Sequence, residues 1–301
     1  MPAPRSSAPG VSGGGTLYAL LAYGAWGLLP IYWKLFGASA PVEVLCHRLI
    51  WSLFFLGGVL LVQRRQAEVW ALLKERLRVL WLLGSALLLT VNWGIYIYGV
   101  NTDRVVETSL GYFINPLVSV LLGFVVLKER LHRGQQVAVA LAAIAVGYFV
   151  VQLGTVPWIA LSLAFTFAFY GLVRKMVPVA PMVGLAIEAL LITPVALLGV
   201  IYWGAMGTAS FGTTPGLTLL FAGAGVVTSM PLLWFNNAAK RLPLSTLGFF
   251  QYLAPSLQLL LGVFLYGEPF TMTHGITFGL IWTALLLYST TALLGRSPVK
   301  G

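Results

Sequence analysis

The sequence predicts an all-α membrane protein, with ten transmembrane helices arranged as two inverted five-helix repeats. Three observations lead there. The 301-residue chain is 59% hydrophobic and 9% charged, with a mean hydropathy of +0.90. Ten apolar stretches follow one another, each near the roughly 20 residues that a helix needs to cross a bilayer. Short motifs in the first half return in the second at a nearly constant offset.

Composition excludes several classes. Soluble domains are about 45–50% apolar and about 25% charged, so this chain could not cover a water-facing surface with its own charges. A bilayer tolerates it, because helices satisfy their backbone polar groups internally. The 33 Gly and 16 Pro fit such a bundle, where Gly allows close helix approach and Pro is accepted within spans. The net charge of +10 would elsewhere suggest nucleic acid. Here the basic residues lie in short runs between apolar segments, which points to membrane topology and to no nucleic-acid partner. The single Cys46 excludes an intrachain disulfide and a multi-cysteine metal site. No HExxH, GxSxG, P-loop or CxxC motif occurs. The expectation is therefore a protein that is not an enzyme, holds no cofactor or metal, and does not use ATP directly. His132 in a basic loop and His274 at an outer helix start do not join His47 in a metal site.

Residues 1–15 read as a flexible tail, with no cleavable signal, since the first apolar run outlasts a signal peptide. Spans are predicted at 16–36, 41–63, 79–99, 107–127 and 134–152 in the first repeat, residues 16–152. The second repeat, 156–294, carries 156–174, 182–204, 215–239, 245–266 and 274–294, and 295–301 is a tail. Alternate connections hold 15 of the 18 basic residues, the exceptions being Lys34, Arg48 and Arg104. The positive-inside rule then places both termini in the cytoplasm and the chain in the cytoplasmic membrane. Ala67–Leu77 reads as an amphipathic surface helix in the first inner loop.

The repeat rests on named positions. Ser109-Leu110-Gly111-Tyr112-Phe113 returns as Thr246-Leu247-Gly248-Phe249-Phe250, 137 residues on. Pro116, Gly123 and Glu129 return as Pro255, Gly262 and Glu268 at 139; Lys34, Pro41 and Arg48 meet Arg174, Pro181 and Glu188 at 140. Five spans per copy is an odd number, so the second copy enters the membrane from the other side. Inverted repeats recur in secondary transporters, where two related units expose a central site alternately. A passive channel is the second reading, although no ring of one residue type marks a constriction. A non-transporting membrane protein is the third.

Specific motifs carry a family resemblance. Ala22-Tyr23-Gly24-Ala25-Trp26-Gly27 with Pro30, Tyr32 and Lys34, then Glu43, His47-Arg48 and Trp51-Ser52, resembles the RarD group of EamA-type permeases. So do Glu107–Leu117, Phe167–Lys175 and Leu244–Tyr252, and the likeness spans roughly residues 16–290. The group lies in the drug/metabolite transporter superfamily. The resemblance implies ten helices in two inverted EamA repeats around a central cavity, and its label, "chloramphenicol-sensitive protein", implies a link to that drug. The expected solutes are amino acids, related metabolites or such drugs. The expected partners are this substrate and the lipid bilayer, with proton coupling and a homodimer as open options.

Ionisable groups within spans are costly and face a cavity or each other. Lys34 either snorkels to the outer interface or, with its repeat partner Arg174, offers cations at both mouths to an anionic or zwitterionic solute. Arg48 lies about seven residues into its span, roughly 10 Å deep at 1.5 Å per residue, which makes snorkelling awkward. Glu43 and His47 stand at i,i+4 and could share a proton. Glu188, the repeat partner of Arg48, either pairs with an interior cation or exchanges a proton during transport. The amides Asn92, Asn115 and Gln251 either bond neighbouring helices or face solute, as do Asn101, Asn236 and Asn237. The aromatics Trp26, Tyr32, Trp93, Tyr96, Tyr112 and Tyr170, with Phe249, would line an apolar cavity or pack helices.

Overall fold

The computed structural model describes residues 13–128, 133–239, 241–242 and 250–294. Every regular element in them is helical: α1 (Gly13–Lys34), α2 (Pro41–Val62), α3 (Gln66–Leu73), α4 (Arg76–Asn101), α5 (Val105–Leu127), α6 (Arg133–Leu153), α7 (Trp158–Met176), α8 (Pro181–Ala205), α9 (Pro215–Ala239), α10 (Leu253–Leu260) and α11 (Met272–Leu294). Among the described residues, eight helices are long and apolar enough to cross a membrane: α2, α4 to α9 and α11. Helix α1 has the length at 22 residues but is not among these eight. The shorter apolar segment Leu253–Leu265 ends in a π turn over Leu261–Leu265.

Local signals explain the boundaries. Helices α2 and α8 each open with Ala-Pro, and Pro41 and Pro181 occupy the first turn, where a missing N–H costs nothing. Helix α6 stops at Gly154, whose φ of +64° turns the chain into the short link before α7. Helix α1 begins at Gly13, three residues before the predicted span, and α3 ends at Leu73, not Leu77. Leu72 of α3 is buried while Trp70 is exposed, the amphipathic arrangement expected of a surface helix. Phe249, Asn236's side chain, Glu129, His132, and both predicted tails except 13–15 lie outside the described residues.

Packing joins the two halves of the chain. The most extensive helix pairs are α5 with α7, α6 with α11, α2 with α8 and α9, α4 with α7, and α1 with α9 and α10. Each of these takes one helix from before residue 154 and one from after it. Some interfaces bring backbone against backbone. A Cβ on Gly225 of α9 would collide with the main chain of Trp51 and Ser52 in α2, and one on Gly111 of α5 with the main chain of Ala160 in α7. An aromatic core includes Trp33, Phe36, Tyr96 and Phe221. A second core, built on Leu110, Phe113, Ile114 and Phe278, holds α5, α6, α7 and α11 together.

Candidate functional site

Helices α2, α4, α8 and α9 surround a cleft at mid-height of the bundle, lined by Leu49, Ser52, Thr90, Trp93, Glu188 and Ser229 among mostly aliphatic neighbours. The cavity is small, about 30 Å³, so the walls lie close together. Three hydroxyls, one carboxylate and one indole therefore provide the polar chemistry of an otherwise apolar wall. Ser52 Oγ lies 3.3 Å from Thr228 Oγ1, which ties α2 to α9 beside the cleft.

Two buried ions flank this space. Arg48 is the seventh residue beyond Pro41 in α2 and Glu188 the seventh beyond Pro181 in α8. The two helices pack together and run in opposite directions on the predicted topology, so each ion sits roughly 10 Å from an opposite end of the bundle. Glu188 is 3% exposed and well partnered: it accepts from Ser85 Oγ at 2.5 Å, Arg174 at 3.3 Å and the Tyr170 hydroxyl at 3.5 Å. Of the two expectations for Glu188, this geometry is the pairing with an interior cation.

Arg48, 1% exposed, is as deeply buried but is bonded differently. Its guanidinium lies against the face of the Trp93 indole, a cation–π arrangement. Both terminal nitrogens lack a hydrogen-bond partner, and among the described residues no carboxylate pairs with it. The expected Glu43–His47 proton-sharing pair is not formed. Glu43 Oε1 instead accepts the backbone N–H groups of Ser210 (2.7 Å) and Phe211 (3.1 Å), binding the loop before α9. His47 stacks on Phe211 at 4.4 Å between ring centroids, and its Nε2 has no partner. Free amides in a membrane loop compete strongly for a carboxylate, and the i,i+4 spacing could not reveal them.

The remaining candidates separate by position. Tyr96 and Tyr112 meet edge to face at 5.7 Å, and Tyr112, Phe167 and Tyr170 continue as a chain of ring contacts from the Arg48 side toward Glu188. Asn92 donates to the Leu163 carbonyl (3.0 Å) and Thr166 (2.8 Å), and Asn115 to the Ala164 carbonyl (3.0 Å). Both amides thus bond α7 from neighbouring helices. The Tyr32 hydroxyl donates to the Leu220 carbonyl. Trp26 packs on Tyr23 and Phe235, and its carbonyl accepts from Gln258. Lys34 pairs with the exposed Asp103 and sits over the Tyr266 ring, a rim position. Gln251 is exposed in the turn before α10 and is not among the cleft-lining residues.

Two functional-looking groups escaped the sequence. Ser85 supplies the shortest contact to Glu188, yet a lone serine in a leucine-rich helix carries no signal of its own. Glu268 follows the end of the π turn and accepts from the N–H groups of both Val105 (2.6 Å) and Val106 (2.7 Å), capping α5 from across the molecule. Burial pushes its carboxyl up from the usual range, while these two donors pull it down. The repeat marked Glu268 as a position; only the fold shows what it holds.

Fold and cleft together define a multi-pass membrane protein built around a buried polar site, the architecture of a transporter. A model of the EamA-like transporter family matches residues 13–151. A protein of Vibrio cholerae serotype O1 named "Uncharacterized transporter" is 46% identical over 93% of both chains. "Protein RarD" of Streptomyces exfoliatus is 45% identical over 93% of this chain and 89% of its own length. A crystal structure at 21% identity covers 94% of this chain and 99% of its own with a TM-score of 0.58, a likeness of fold alone. The chain belongs to the EamA-like transporter family, as a RarD-type permease. That family consists of membrane transporters and not of enzymes.

Proposed function

We propose that the protein is a secondary transporter that moves small organic solutes, such as amino acids, related metabolites or chloramphenicol-like drugs, by alternating access across the cytoplasmic membrane. The observation that carries this is the cleft between α2, α4, α8 and α9, with Arg48 and Glu188 at equal depth from opposite ends. Ionisable groups that deep mark solute or ion pathways. Both termini face the cytoplasm, in line with the basic residues of alternate loops.

The inverted five-helix repeat has support in the packing. Exchange each helix for its counterpart in the other copy, leaving out the surface helix α3. The pair α4·α7 then becomes α9·α1, α5·α7 becomes α10·α1, and α2·α9 becomes α8·α4, all of them contacts that occur. The pairs α2·α8, α6·α11 and α5·α10 map onto themselves, as contacts along a twofold axis must.

The test is flux in proteoliposomes. Uptake should saturate, show counterflow when the lumen is preloaded, and fall at least tenfold in Arg48→Ala. Flux linear in concentration and indifferent to that substitution favours a passive channel and removes the proposal.

A further inference from the structure

The cleft has two charged neighbours but only one open valence. Glu188 already receives three donors, so it makes no demand on a ligand. Arg48 makes such a demand. A guanidinium stays protonated in proteins, and a buried charge without a counter-charge is strongly destabilising. Its contact with the Trp93 ring offsets part of that cost but leaves both terminal nitrogens without a hydrogen-bond partner. Arg48 also shares a helix face with cleft-lining Ser52, one turn away at i,i+4, and Trp93 itself lines the cleft.

We infer that Arg48 is the receptor for the carboxylate of a monoanionic solute whose apolar body occupies the cleft between Trp93 and Ser229. This rests on the cleft being the transport site. A planar carboxylate matches the fork of a guanidinium, each oxygen accepting one N–H. A phosphate dianion fits less well, because a single cation faces it. An ammonium group finds no unpaired carboxylate on the cleft wall, since Glu188 is engaged by Ser85, Tyr170 and Arg174. Within the range of solutes proposed above, the site therefore favours metabolites that are simple carboxylic acids over the zwitterionic amino acids, amines and neutral amides.

The experiment compares matched probes on the purified full-length protein in detergent at pH 7. The panel holds aliphatic and aryl monocarboxylates of three to ten carbons, each with its primary amide, its 2-amino acid and its phosphate monoester counterpart. Thermal stabilisation reads binding by mass action. At least one acid should bind tenfold or more tightly than its amide and its amino acid, and Arg48→Gln should abolish that preference. Arg48→Lys, which keeps the charge without the fork, should retain part of it. Acid and amide binding equally, an amino acid or phosphate monoester binding better, or a preference that survives Arg48→Gln overturns the inference. If the variant does not fold, the wild-type acid-to-amide ratio still decides. Counterflow in vesicles separates the two readings. An acid that binds through Arg48 but never exchanges sinks the transport proposal and leaves the receptor standing; saturable exchange of neutral solutes alone does the reverse.

Discussion

Arg48 and Glu188 occupy equivalent places, each seven residues into antiparallel neighbours α2 and α8 that begin with Ala-Pro, yet they live in opposite conditions. The carboxylate is held by a serine, a tyrosine and an arginine; the guanidinium touches an indole ring and has no partner at either terminal nitrogen. Equivalent position thus does not confer equivalent role. A saturated ion acts as a brace, and an unsaturated one as a receptor. The difference also explains why depth alone is a weak guide to function: both residues are buried to within a few per cent, and only their bonding separates them.

The contrast can be broken most strongly at the brace. Arg174→Leu leaves Glu188 buried without its cation, and should cost about 3 kcal/mol of unfolding free energy in detergent. Adding Glu188→Leu should restore most of that loss, because two apolar side chains replace an ion pair at little net cost. A double variant as unstable as the single one would mean Arg174 braces something else. Arg48→Gln should behave in the opposite way. Its unfolding midpoint should hold or rise while transport falls tenfold or more, about 1.4 kcal/mol in the transport barrier. A drop in stability as large as that of Arg174→Leu would make both ions structural.

Two smaller changes sharpen the same comparison. Asn115→Leu removes one amide-to-carbonyl bond between α5 and α7 and should cost about 1 kcal/mol, the scale of interhelical hydrogen bonds in membranes. Transport should survive it. Lys34→Ala should cost less than about 1 kcal/mol, since its partner Asp103 is exposed and the pair is solvated. If Lys34→Ala abolished solute binding, the rim would belong to the site after all.

Much of this was legible from the chain. Hydropathy located α2, α4 to α9 and α11 within a few residues, because span length and apolarity are local properties. The depth of Arg48 and Glu188 followed from counting residues into a span. Their partners did not. Ser85 lies 103 residues from Glu188, and the Ser210 and Phe211 amides lie more than 160 from Glu43. Which donor reaches a carboxylate depends on helix rotation and crossing, to which hydropathy is blind. The i,i+4 spacing of Glu43 and His47 is true geometry on an isolated helix, but it lost to two N–H groups supplied by another part of the chain. The π turn at Leu261–Leu265 was invisible for a similar reason: it closes with the Tyr266 N–H bonded to the Leu261 carbonyl, and the Glu268 N–H then bonds the Gly262 carbonyl, just where that side chain must reach α5.

The contact between Gly225 and the main chain of Trp51 has a mechanical consequence. With no Cβ between them, α2 and α9 cannot slide or tilt independently without losing their densest packing. They come from different halves of the chain, as do α5 and α7, which meet at Gly111. Any large motion must therefore carry these couples as rigid bodies, and the hinge lines must cut across both sequence halves instead of running between them.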